Sequence, residues 1–97
     1  MKITKLATAG NEFVTFTRVT TEDGATGWGQ LSTYNADITA QVFHRQVARH
    51  ALGTHVEDME DTIQRIYERE HKFPGSYLRR AQTGLDTAVW DLRDMTI

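Results

Sequence analysis

Cysteine is absent from the 97 residues. That excludes a disulfide framework, a thiolate nucleophile and a cysteine-based zinc site, and it removes the usual clue to redox compartment. A basic excess is also missing: 11 Lys and Arg stand against 13 Asp and Glu, for a net charge of −2. A nucleic-acid binder would carry the opposite sign. No apolar run approaches the roughly 20 residues needed to cross a bilayer. The opening stretch, Met1-Lys2-Ile3-Thr4-Lys5-Leu6, is too polar for a signal peptide, so a cytoplasmic location is expected. Only one proline occurs, and there is no repeat, low-complexity run or linker-like stretch. Phosphate loop, dinucleotide fingerprint and Gly-x-Ser-x-Gly elbow are all missing; Gly27-Trp28-Gly29 lacks a third glycine and a following helix.

What remains is the composition of an ordinary globular domain, 39% hydrophobic and 25% charged. A chain of this size hides roughly 65% of its unfolded surface, enough for one small core and no deep cleft. A single domain over residues 1–97 is expected.

The first third reads as β. Residues 13–19 are rich in β-branched and aromatic types. Asp23-Gly24 signals a hairpin, and the chain returns through residues 25–31. The glycines flanking Trp28 point to close backbone approach or a bulge. Residues 2–8 supply a third strand, because a lone hairpin is only marginally stable. Strands over about 2–31 thus form a three-stranded antiparallel meander.

The rest reads as α, with helices over about 37–95. Ile38, Val42, Phe43, Val47, Ala51 and Leu52 mark a helical stripe, and Gly53 suits the position just past its end. Thr54 and Glu57 match a capping box for a second helix. That helix carries Val56, Met59, Ile63, Ile66 and Tyr67 and is expected to end near Lys72. Phe73-Pro74-Gly75 reads as a turn, with Ser76 capping a third helix from Tyr77 to Met95. Its stripe is Leu78, Ala81, Leu85, Ala88, Val89 and Leu92. Strands followed by helices predict an α+β domain with the helices on one face of the sheet.

The residues alone contain no catalytic constellation. His44, His50 and His55 are spaced by six and five, whereas ligands on one helical face need three or four. His50 suits the negative end of a helix dipole. Glu57, Asp58, Glu60 and Asp61 sit where a helix start favours negative charge. Arg65, Glu68, Arg69 and Glu70 read as a solvated face with intrahelical pairs. Arg79-Arg80 is the one basic doublet, and one of the two is a candidate for a carboxylate or phosphate ligand. No catalytic residue and no metal ligand is assigned to this chain.

Three stretches are more specific. Met1–Leu6, Val19-Thr20-Thr21-Glu22-Asp23-Gly24-Ala25-Thr26-Gly27-Trp28-Gly29-Gln30 and Arg80-Ala81-Gln82-Thr83-Gly84-Leu85-Asp86-Thr87-Ala88-Val89-Trp90-Asp91-Leu92 occur in this order. Together they resemble the N-terminal capping domain of the mandelate racemase/muconate lactonizing enzyme group of the enolase superfamily. The resemblance implies a cap that closes over a C-terminal TIM barrel, its partner in the parent enzyme. It also implies Mg²⁺ bound by barrel residues, a small carboxylate substrate, α-proton abstraction by a barrel Lys or His, and homo-oligomers. The barrel is absent from this chain. Two departures stand out: Gln30 where Glu is common, and Arg93-Asp94-Met95-Thr96-Ile97 where a Gly-Lys-like continuation is expected.

Two cap segments reach substrate in that group. By position they correspond here to about Ala7–Glu12 and Leu31–Asp37. Ser32, Thr33, Tyr34 and Asn35 are the polar members of the second and the candidate substrate contacts, with Tyr34 and Asn35 foremost; a turn with a helix cap explains those two equally. The leading expectation is the cap of a Mg²⁺-dependent hydroxy-acid or acid-sugar dehydratase or racemase, catalytically silent by itself. The alternative is a non-catalytic interaction or self-associating module in which Trp28 and Trp90 are exposed anchors.

Overall fold

A computed structural model describes residues 1–96, with side chains through Asp94; Ile97, the last residue of the expected domain, lies outside the described residues. Three strands, β1 (Ile3–Gly10), β2 (Thr15–Thr21) and β3 (Thr26–Gln30), form an antiparallel meander in the order β1-β2-β3. The Asp-Gly signal makes a three-residue loop. Gly24 donates to the Thr21 carbonyl at 2.9 Å with φ +87°, and Thr21 donates to Ala25 at 3.0 Å. A type I turn closed by a left-handed glycine gives that pattern.

The first helical rod starts as α1 (Ala36–Val42), widens into a π turn (Phe43–Ala48) and closes as α2 (Arg49–Ala51). The regular stripe expected from Ile38 to Leu52 is therefore displaced. A π turn bonds i to i+5 and shifts the register of the buried face. Ala36, Thr39, Phe43, Val47 and Ala51 face inward, while Ile38 and Leu52 lie outside.

Gly53 adopts φ +84° past the rod's end, as expected, but its amide donates to Ile3 of β1 at 2.9 Å. The predicted capping box does not form. Thr54 Oγ1 donates backward to the Ala51 carbonyl at 2.6 Å, and Glu57 accepts from the Met1 amine at 2.5 and 2.7 Å. Thr54 thus finishes the preceding helix, and His55 precedes a 3₁₀ turn over Val56–Asp58. Next comes α3 (Met59–Arg69), which ends before Lys72 because Glu70 turns inward. Finally α4 runs over Ser76–Thr96. Ser76 lies inside it; the Gly75 carbonyl accepts from Arg79 one position earlier than the expected cap.

The meander packs on α4 at very short range. A Cβ at Gly27 would stand 2.2 Å from the Ala88 carbonyl oxygen, and one at Gly29 would stand 2.7 Å from that of Gly84. On the helix side, a Cβ at Gly84 would meet Leu31 at 2.4 Å. The glycines around Trp28 therefore mark close approach and not a bulge. Thr17 on β2 donates to the Gly84 carbonyl at 2.8 Å, fully buried. The whole predicted α4 stripe is buried with Val19, Phe43, Val47 and Ile66 in one core. The fold is the predicted α+β arrangement: a three-stranded antiparallel sheet followed by three helical rods.

Candidate functional site

The two segments singled out in the sequence lie side by side. Leu31 donates to Thr15 at 2.9 Å, and Ala36 donates to the Glu12 carbonyl at 3.1 Å. The first segment is narrower than expected. Strand pairing continues to Gly10 opposite Thr15, so Ala7–Gly10 belong to β1 and only residues 11–14 form the loop. Asn11 closes it, its Oδ1 accepting from Phe13 at 2.9 Å and Val14 at 3.1 Å. The hydrogen bonds leave Phe13 70% exposed at the tip.

The second segment leaves β3 and faces α4. Gln30, Leu31, Ser32 and Thr33 line an open depression of about 440 Å³ with Arg80 and Thr83. Ser32 Oγ accepts from the Tyr34 amide at 3.4 Å, which bends the segment back. Tyr34 is 66% exposed. The Arg80 guanidinium carbon lies 5.8 Å from the Tyr34 ring centre and 5.4 Å from that of Tyr77. Among the described residues no carboxylate pairs with it.

The four candidates thus divide. Ser32 and Thr33 line the depression, and Tyr34 braces Arg80 beside it. Asn35 is turned away. It adopts a left-handed φ of 51°, precedes α1 and donates from Nδ2 to the Tyr77 hydroxyl at 2.8 Å. Asparagine tolerates that conformation better than most residues. Here it anchors the ring on which Arg80 rests.

Elsewhere the titratable residues scatter. His44 Nε2 meets Thr8 Oγ1 at 2.8 Å, His55 is exposed, and His50 Nε2 meets Glu70 Oε2 at 2.8 Å. Glu70 is 9% exposed and also accepts from Gln46 at 3.0 Å. The His50 and Gln46 hydrogen bonds hold its carboxyl below the ordinary range, against burial pushing it up. Arg65, Glu68 and Arg69 are exposed as expected, but Glu70 is a buried link between the first rod and α3, and neither Arg65 nor Arg69 pairs along the helix among the described residues. Only its inward partners, invisible in α3's own periodicity, distinguish Glu70 from Glu68. No group of three or more His, Asp or Glu converges to hold a metal ion among the described residues.

Two tryptophans are half exposed, Trp28 at 49% and Trp90 at 53%. Arg18 stacks on Trp28 at 5.5 Å and Arg93 on Trp90 at 5.0 Å. Asp91 Oδ2 accepts from the Trp28 amide at 2.8 Å, tying β3 to α4 beside both rings.

The profile of the mandelate racemase / muconate lactonizing enzyme N-terminal domain matches residues 2–96. The chain belongs to this family. A solved protein from Roseobacter denitrificans, provisionally named a racemase, is 60% identical with a TM-score of 0.93; the match covers 96% of this chain and 25% of that one. The mandelate racemase/muconate lactonizing protein of Paracoccus denitrificans PD1222, solved with magnesium, is 30% identical with a TM-score of 0.86, over 98% of this chain and 27% of its own. D-galactonate dehydratase of Xanthomonas euvesicatoria is 29% identical, over 100% of this chain and 26% of its own. The chain therefore spans about a quarter of the length of the relatives it matches. In this member of the mandelate racemase/muconate lactonizing enzyme N-terminal family, short glycine contacts hold β3 against α4 next to the depression lined by Gln30 to Thr33, Arg80 and Thr83.

Proposed function

We propose that this chain is the substrate-capping domain of a Mg²⁺-dependent enolase-superfamily enzyme. The whole enzyme removes the proton α to the carboxylate of a hydroxy acid or acid sugar, as a dehydratase or racemase. The observation that carries the reading is the pairing of the two segments, 11–14 and 31–35, at one end of a fold matched over residues 2–96. Relatives named for racemase and D-galactonate dehydratase activities, and one solved with magnesium, support the reaction class.

In this reading the remaining three-quarters of the parent is a C-terminal TIM barrel. It would supply the metal ligands and the base, and Mg²⁺ held there would supply Lewis-acid stabilisation of developing negative charge on the substrate carboxylate. This chain supplies no catalytic residue. Its segments exclude water from the barrel mouth and read the part of the substrate distant from the reacting carbon. Ser32 and Thr33 contact substrate directly, while Tyr34 and Asn35 hold the segment in place. The parent is cytoplasmic and homo-oligomeric in this reading.

Two measurements test this. The first is the intact mass of the protein made in its source cells. The second is Mg²⁺-dependent exchange of the α-proton of hydroxy acids and acid sugars into deuterated water. A mass several times 11.1 kDa with exchange abolished by chelation is expected. A native mass near 11.1 kDa without exchange would refute the reading and favour the interaction module, with its exposed tryptophans.

A further inference from the structure

We propose that the groove between α3 and α4 is a binding site for an elongated zwitterion, a small molecule with an ammonium at one end, a carboxylate at the other and an aliphatic chain between them. The inference goes beyond the capping reading. None of residues 11–14 or 31–35 lines this groove, which meets the depression only at Thr83.

Three observations converge. The first is the separation of charge along the groove, an open space of about 320 Å³. Gln82 Nε2 on α4 donates to the Ile63 carbonyl of α3 at 3.2 Å, and the Arg79 guanidinium carbon lies 5.9 Å from the Tyr67 ring centre. The two helices therefore run antiparallel here, which puts Asp86 at the Glu60 end and Arg79 at the Tyr67 end. One end carries two carboxylates and the other a guanidinium, with Ile63 between them.

The second is that these charges have no partners. Side chains on a helix surface meet at spacings of three or four residues. Asp86 follows Arg79 by seven, about 10 Å along the axis, which is too far for contact. At the shorter spacings Glu60 is followed by Ile63 and Gln64, and Asp86 is preceded by Gln82 and Thr83, none of them cationic. Among the described residues neither acid forms an ion pair, and neither does Arg79. Stacking on Tyr67 orients the guanidinium without consuming its donors, which leaves them for an oxyanion. The two carboxylates complement an ammonium.

The third is a buried amide midway along the groove. Gln82 is only 7% exposed and lines the space. Its Nε2 is committed to Ile63, and no donor among the described residues meets its Oε1. A buried carbonyl without a donor is a cost that a ligand can remove. Gln82 stands one helical turn from Asp86, so one ammonium can reach both. The side chain of Ile63 gives the aliphatic part of the ligand an apolar wall.

The test is an NMR titration of the full 97-residue chain, read at the backbone amides and the arginine Nε–H groups. The probe is 6-aminohexanoate. Hexylamine lacks its carboxylate, hexanoate lacks its ammonium, glycine lacks its length, and sodium chloride controls for ionic strength. 6-Aminohexanoate is expected to shift the Ile63, Gln82 and Asp86 amides and the Arg79 Nε–H together, saturating in about the millimolar range. Exposed ion contacts are individually weak, so each one-ended probe binds roughly tenfold or more worse. Arg79→Gln and Asp86→Asn each weaken 6-aminohexanoate roughly fivefold or more. Arg65→Gln, at an exposed position of α3 outside the groove, leaves it unchanged. The same spectra report whether each variant is folded. No saturable shift, equal shifts with hexylamine, hexanoate or glycine, or binding that survives both Arg79→Gln and Asp86→Asn overturns the proposal. Absence of α-proton exchange in the parent would instead refute the capping reading and leave this site standing.

Discussion

Gly27→Ala is expected to destabilise this domain more than Gly53→Ala, although only Gly53 has an unusual backbone conformation. At Gly53, φ is +84° and nothing lies within 4 Å of an added Cβ. The cost there is that of a side chain in the left-handed region, about 1–2 kcal/mol. At Gly27 an added Cβ stands 2.2 Å from the Ala88 oxygen and 2.6 Å from the Leu92 nitrogen, where ordinary contact begins at 3.4 Å. Both neighbours are backbone in the middle of α4, so no rotamer change relieves the overlap. The helix must move off β3 by about an ångström. A radial gap of about 0.5–1 Å forfeits a quarter to a half of a dispersion contact. The helix face that moves includes Leu85, Ala88, Val89 and Leu92, each at most 1% exposed. The expected cost is about 3 kcal/mol, the upper part of the overpacking range. For a domain of this size that corresponds to a fall in Tm of roughly 12–24 °C. Thermal melts of both variants by far-UV circular dichroism, at equal concentration, decide the matter. A Gly27→Ala protein melting at or above Gly53→Ala would show that α4 and β3 are not in backbone contact.

Three further outcomes are expected. Glu70 has a depressed carboxyl pKa, so its contribution is full above the ordinary value of 4.5 and disappears as pH falls through its lower folded value. The stability gap between wild type and Glu70→Gln, measured by urea unfolding, should therefore shrink below pH 4.5; a gap that widens in acid would refute the assignment. Asn35→Val should cost about 2–3 kcal/mol, from left-handed strain and the lost bond to Tyr77, whereas Asn35→Gly should cost about 1 kcal/mol; equal melts for the two would remove the conformational argument. Trp90→Ala should lower stability by less than about 1 kcal/mol, because half the ring is already in water; a larger loss in thermal melts would show that the ring belongs to the core.

The sequence made the architecture readable where one pattern had one physical meaning. The α4 stripe, the Asp23-Gly24 loop and the glycines around Trp28 all lie where periodicity and glycine chemistry put them. It misled where a residue had two competing partners. Thr54 and Glu57 have capping-box spacing, but Thr54 reaches back to Ala51 and Glu57 to Met1. Glu70 looks like its solvated neighbours until the fold brings His50 and Gln46 to it. The π turn leaves no mark in hydrophobic spacing beyond the exposure of Ile38 and Leu52. At the candidate site, Ser32, Thr33 and Tyr34 were identifiable by position in the family pattern. Asn35's structural part emerged only with Tyr77, 42 residues away. Arg80 was visible as half of a doublet; Arg79 also has a tyrosine nearby, and what separates Arg80 is its partial burial beside Ser32 and Thr33.

The ties at the two margins of the sheet bear on how the chain behaves at high concentration. A bare outer strand is a template on which another molecule's strand can grow. On the β1 side, Gly53 donates to Ile3, Ile3 donates to the Thr54 carbonyl, and Val56 donates to Met1. An irregular stretch between two helices thus occupies the place of a fourth strand without offering a new free one. On the β3 side, the Asp91 carboxylate takes the outward Trp28 amide, and a charged acceptor there repels an incoming carbonyl. At each of these points the margin is closed by groups that cannot propagate a ladder. At these two points the sheet cannot be extended by a strand of a second copy, which removes them as starting places for a β fibre.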